Sequence, residues 1–251
     1  MKGDNMPKYC TGRIKSRFDS RDLMLSDFLP ASLPPPAASY NALERVFVNL
    51  KTSNVPMLFP MDGNDTKGDC TCAAWAHGLT VFDGFLGKKT IWSTPTVEQM
   101  YFTLTGGPDS GLQEIDVLNY LRKLGLILGH VSVNPSNLTH CKQAMSMFGG
   151  LYIGFNVQQD AIPDFDARKP WTAGPLTGDG HAVYVTSYEN LEAAFAGQLL
   201  TWGDTEDFGP SWWSCCVDEV HAILPLEAKQ PGFLPGFDLQ KFETALAAVT
   251  N

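Results

Sequence analysis

Apolar positions along the chain change period near its middle. Ala74, Gly78, Val81, Phe82 and Phe85 recur at helical spacing, so a helix buried along one face is expected over residues 70 to 86. Asp69 is suited to cap its start and Gly87 to stop it. A second helix opens at Thr94-Pro95-Thr96-Val97-Glu98-Gln99, with proline in its first turn. Ile115, Leu118 and Leu121 mark a third, and Leu138, Cys141, Met145 and Phe148 a fourth. Beyond these the period shortens to two. Residues 151–157, 181–188, 198–202 and 217–224 read as strands of an antiparallel sheet or half-barrel. Shorter strand-like pieces are expected at 45–50 and 57–59, and an amphipathic helix at 238–249. Helices first and strands afterwards make the fold class α+β.

The same pattern divides the chain. Residues 1–44 are an N-terminal extension, ending in a proline-rich linker from Phe28 to Ser39 that favours extended backbone and is able to wrap the domain or occlude a groove. It lacks the long amphipathic helices of an inhibitory pro-domain. Residues 45–225 form the main domain, with a helical lobe near 64–148 and a β lobe near 149–225, and residues 226–251 are a tail with its helix.

Composition narrows the classes of function. A net charge of −9 disfavours nucleic acid as a partner, and the basic cluster between Lys8 and Arg21 reads as a solvated tail. No apolar run suits a membrane span or a signal peptide, so a cytoplasmic protein is expected, without disulfides. The six cysteines lack zinc-ligand spacing, and most are expected as small buried hydrophobes, the Cys215-Cys216 pair at the start of the last strand. No metal or cofactor is expected.

The candidate chemistry lies where a polar loop becomes a helix, in Asn64-Asp65-Thr66-Lys67-Gly68-Asp69-Cys70-Thr71-Cys72. A helix N-terminus carries unpaired N–H groups and favours a thiolate, so Cys70 is the candidate nucleophile. Cys72 is rotated about 200° around the helix and faces elsewhere. An ionised Asp69 next to Cys70 opposes its activation. His181, on a strand, is the candidate base. His77 shares the Cys70 face but lies about 10 Å along the helix, His221 reads as structural, and His130 and His140 show no partner pattern.

A helical half led by this cysteine, followed by a β half led by Gly180-His181-Ala182-Val183, resembles the papain-like cysteine peptidases, and most closely a divergent bacterial and phage-type group. Asn64, six residues before Cys70, and Gly68-Asp69-Cys70 are similar to the family's glutamine and Gly-x-Cys. Thr96-Val97-Glu98-Gln99, Gly106-Gly107, the run from Gln143 to Phe155, Leu199-Leu200-Thr201-Trp202-Gly203 and Gly209-Pro210-Ser211-Trp212-Trp213 resemble later family segments in the same order.

The resemblance implies a two-lobed papain-like fold with a central helix and an antiparallel β half-barrel. It implies a Cys70–His181 pair attacking a peptide or amide bond through an acyl-enzyme, with the Asn64 amide aimed at the oxyanion. Trp202 would shield His181 from water. The family's orienting asparagine aligns with Leu200, which accepts no hydrogen bond, so Asp204 and Asp179 are the candidate substitutes, or the pair acts as a dyad. The partner implied is a peptide, amide or acyl substrate. An amide or thioester acyltransferase using the same pair, and a catalytically silent binding module, are the alternatives.

Overall fold

A computed structural model describes residues 9–17, 19, 22–189, 194–230 and 234–250. Lys8 and Arg21, the ends of the basic cluster, lie outside the described residues. A helical lobe packs against one antiparallel sheet of six strands. Their order across the sheet is Gly129–Ser132, Val217–Leu224, Leu151–Gln158, Leu176–Val185, Gly197–Thr201 and Asp204–Phe208. No helix among the described residues is long and apolar enough to cross a membrane.

The central helix, Cys70–Phe85, lies on the sheet at the strand Leu176–Val185. Fourteen of its sixteen residues are buried, so it is enclosed on every side, where a single buried face was expected. Helices buried all round are apolar or small-residued all round, and Thr71, Thr80 and Trp75 are interior here along with the stripe. Glycines set how closely it packs. A Cβ on Gly78 would stand 2.6 Å from the Tyr184 ring, and one on Gly84 2.7 Å from Val46.

Two expected strands are helical. Residues 45–50 belong to the helix Ala42–Leu50, whose start is capped by Asn41 accepting from Leu43 N and Glu44 N. Its inner face is Leu43, Val46, Phe47 and Leu50, while Val48 is 75% exposed. A window opening at Arg45 misses both the cap and Leu43, and leaves a false alternation. Residues 57–58 lie in the turn Val55–Leu58, capped by Asn54. In the helix Glu114–Lys123, Val117 is the buried position beside Leu118 and Leu121, while Ile115 is only half-buried.

The strand expected over 181–188 is broken at Thr186. Its continuation, Ser187–Glu189, pairs instead with Ser39–Asn41, which draws the extension onto the domain. The linker is held by carbonyl acceptors that proline leaves free. Tyr188 Oη donates to Ala37 O, Gln143 Nε2 to Pro34 O, and Asp238 N to Phe28 O. The C-terminal helix Leu239–Thr250 docks through Phe242 onto Phe28 and Phe237. Cys216 is buried and Cys215 exposed, both closing the helix Pro210–Cys216 before the last strand.

The Gly78–Tyr184 contact is open to test. Alanine would gain about 1 kcal/mol in a free helix, yet here it drives a methyl into a buried ring. Gly78→Ala is expected to lose about 1–3 kcal/mol of unfolding free energy in urea titration, and an unchanged midpoint would show that the helix does not sit flush on the sheet.

Candidate active site

Cys70 is the first residue of the central helix and is 1% exposed. The loop before it is held from within. Asn64 Nδ2 donates to Lys67 O at 3.0 Å, Thr66 N to Gly63 O, and Gly68 N to Asp109 Oδ1 at 3.0 Å. Asp69 occupies the cap position, but its side chain makes no capping bond. One turn and more along the helix, His77 is turned to the loop, its Nε2 meeting Pro60 O at 2.9 Å.

His181 stands on the strand opposite Phe155, 1% exposed. Its Nε2 lies 2.9 Å from Thr201 Oγ1, and Trp202 stacks on the imidazole with centroids 4.7 Å apart. Its Nδ1 is buried and makes no hydrogen bond. The backbone N–H groups of Ala182, the next residue, and of Gly12 lie near enough to the Cys70 thiol to favour its ionised form. The two lobes thus meet at Cys70 and the His181-Ala182 peptide.

Gly12 belongs to the N-terminal extension, which threads the cleft between the lobes. Tyr9 is buried against Trp202 and Phe165 and donates to Asp166 Oδ1. Cys10 N donates to Asn64 O, and Trp202 Nε1 donates to Cys10 O. Gly12 N donates to Gly180 O at 3.1 Å and Gly12 O accepts from Leu112 N at 3.1 Å, so the segment bridges both walls. Arg13–Ile14 then runs parallel to Leu112–Gln113. The fit is closest at Gly12, where a Cβ would stand 2.1 Å from Gly68 O. Residues 9–17 are therefore part of the site, not the solvated tail that their charge suggested.

Burial sets the protonation of both groups. Burial pushes the Cys70 thiol up to about 12, against the opposing pull of the Ala182 and Gly12 N–H groups. Burial pushes His181 down to about 3. Both are neutral at pH 7. The imidazole's folded value lies below its unfolded one, so its contribution to stability is complete above about pH 6.5 and is lost as pH falls towards 3. Asp69 is pushed up to about 8 by burial, with the Asn64 side chain acting in the opposite sense, so it is mostly uncharged at pH 7. The anticipated opposition of an ionised Asp69 to the thiol is thereby largely removed.

The side chain on His181 Nε2 is Thr201, not one of the two candidate aspartates. Leu200 is buried opposite Tyr184, and its neighbour's hydroxyl reaches the histidine. Asp204 instead forms an ion pair with Arg168 at 2.5 Å, and Asp179 is exposed with its N–H on Thr177. Trp202 has a φ of 45°, a left-handed conformation that ends the strand and defeats parity counting beyond it. A hydroxyl-bearing residue next to the aligned leucine was the available signal. The glycine turn facing the cleft is likewise Gly111, where a Cβ would stand 2.2 Å from Gly12 O, whereas Gly106 and Gly107 face open space. Cys72 is buried and away from this surface, with its hydroxyl and indole neighbours Thr71 and Trp75. His221 pairs with Glu219 at 2.9 Å.

No protein-family model and no curated protein sequence matches the chain. Solved structures do match its fold. Xylellain, a cysteine protease from Xylella fastidiosa, superposes with a TM-score of 0.62 at 15% identity, over 88% of this chain and 98% of that one. A procathepsin B from Trypanosoma congolense gives 0.56 at 11%, over 87% of each. The proform of Amb a 11, a cysteine protease and ragweed pollen allergen, gives 0.56 at 13%, over 78% of this chain and 67% of that one. The chain has the papain-like fold.

Two measurements follow from this geometry. In the intact chain, iodoacetamide is expected to label exposed Cys215 readily at pH 7 and Cys70 at least about 100-fold more slowly, staying slow to pH 10. Equal labelling, mapped by mass spectrometry, would show an open cleft. Thr201→Val keeps the shape but removes the hydroxyl, and is expected to cost about 1–3 kcal/mol of stability and to shift the His181 ring nitrogens in NMR, whereas Thr201→Ser restores both.

Proposed function

We propose that the chain is a papain-like cysteine hydrolase of peptide or amide bonds, held latent by its own residues 9–17. The single observation that carries the reading is the meeting of Cys70, at a helix start, with a histidine strand whose imidazole is held by Thr201 and covered by Trp202 while Nδ1 is left without a partner. Thr201 supplies the hydrogen bond that Leu200 cannot, which weighs against the silent binding module.

In an open, hydrated cleft the desolvation that keeps both groups neutral is relieved. His181 then takes the thiol proton at Nδ1, and the thiolate adds to a substrate carbonyl. The Cys70 N–H is the proposed oxyanion donor, and the Asn64 amide, which donates to Lys67 O in the closed cleft, joins it by turning away from that carbonyl. His181 returns the proton to the leaving amine, and a thioester remains. Water attacks with His181 as base, releasing a carboxylic acid and the thiol. Nε2 stays on Thr201 throughout, which keeps the ring from turning.

The resident segment lies across the cleft with its backbone engaged on both walls, Gly12 N–H donating to Gly180 O and Gly12 O accepting from Leu112 N. Two of the structural neighbours, the procathepsin B and the ragweed allergen, are described as proforms.

Gly12 is the place to open the cleft in the full chain, because any side chain there collides with Gly68 O. Gly12→Val is expected to raise Cys70 labelling at pH 7 at least about tenfold and to hydrolyse a mixed peptide library. Cys70→Ala or His181→Ala in that background should abolish turnover, and trapped acyl-enzyme should map to Cys70. A Gly12→Val chain that labels fast yet cleaves nothing would leave the hydrolase reading without support.

A further inference from the structure

Arg13, one residue beyond the contact with Cys70, enters a pocket that its own segment does not build. Its side chain is 1% exposed. Nη1 lies 2.7 Å from Asp218 Oδ1, Nη2 2.5 Å from Glu219 Oε2, and Nε 3.7 Å from Glu114 Oε1. The floor is Gly154, where a Cβ would stand 2.2 Å from Arg13 Nε. Every wall belongs to the cleft: Glu114 opens a helix of the α lobe, Gly154 is mid-strand, and Asp218 and Glu219 are on the strand beside it.

From this arrangement we infer that Glu114, Asp218 and Glu219 form a specificity pocket for a basic side chain, arginine above all, of the peptide substrate, and that Arg13 occupies it in the latent chain. The inference rests on the hydrolase reading and deepens it.

Three features favour a substrate pocket over a simple fastening. Three carboxyl groups face one guanidinium: Glu114, wholly buried and raised well above the usual carboxylate range by burial, accepts no hydrogen bond, while Glu219 also meets His221 Nε2 and Ser16 N. Lys15 meets Asp218 only at the exposed rim. Buried ion pairs are a poor way to fasten a segment, since an apolar side chain of similar size holds as well without desolvating charge. What carboxylates on two sides of a planar cation do provide is discrimination, because an uncharged residue forfeits the charge-assisted bonds to Asp218 and Glu219. Finally, the segment lies along Gly180 O and Leu112 N, backbone groups that any extended peptide is able to use.

The test uses the full chain with Arg13→Ala, which empties the pocket, and reads its melting temperature with acetyl-arginine amide or acetyl-citrulline amide at millimolar concentration. The arginine compound is expected to raise the melting temperature saturably by several degrees. The citrulline compound, isosteric and neutral, should not, and wild type, with its pocket filled, should respond to neither. Adding Glu219→Gln should abolish the response. Equal shifts from the two amides, or none in a folded variant, overturn the pocket. If Arg13→Ala does not fold, the Gly12→Val chain takes the same assay. In that chain, peptides differing only in arginine or citrulline should differ at least tenfold in kcat/KM, and equal rates also overturn the proposal. An arginine-specific melting shift without hydrolysis of either peptide supports the pocket and overturns the hydrolase reading alone.

Discussion

The arrangement depends on how closely the central helix lies on the histidine strand. Cys70 and His181 come from segments more than a hundred residues apart, and neither position is adjustable once the helix is seated. Gly78 permits the seating by leaving room for the Tyr184 ring, on the same strand three residues beyond His181. Burial of the helix on all sides then makes its register with the strand rigid, as close-packed interiors do not slide. The N–H of Ala182 lies near the Cys70 thiol as a consequence of that packing.

The same dryness that fixes the geometry suppresses the chemistry. A thiolate beside an imidazolium is a pair of charges, and a water-free cleft penalises both. Residues 9–17 keep the cleft in that condition by filling it with backbone already satisfied on both walls, through Gly180, Leu112, Asn64 and Trp202. In the latent form proposed above, loss of solvation and obstruction act together. Opening the cleft would admit water, restore the charged pair and free the carboxylates around Arg13 together.

Much of this was legible in the chain. The change of period from helix to strand, the helix start at Cys70 and the Gly180-His181 strand are local features, written in spacing and capping chemistry. Their order gave the α+β class, and the resemblance of the quoted segments to a known family implied the papain-like architecture. Failures came where a neighbour in space decided the outcome. Arg45 to Leu50 alternates like a strand until Asn41 and Leu43 are included. Leu200 seemed to leave His181 without a partner, because a count of parity cannot foresee that Thr201 faces the ring and that Trp202 turns through a left-handed conformation.

Residues 9–17 mark the boundary most clearly. Their composition is that of a solvated basic tail, and nothing local contradicts it. A strand of two residues has no periodicity to detect, and an arginine is exposed by default. Local spacing and residue chemistry were enough for most of the elements, their order and the choice of Cys70 and His181 as candidates. Which group steadies the base, which segment fills the cleft and which carboxylates surround Arg13 are long-range pairings. They exist only once the two lobes have closed, because burial and proximity, not residue type, create them.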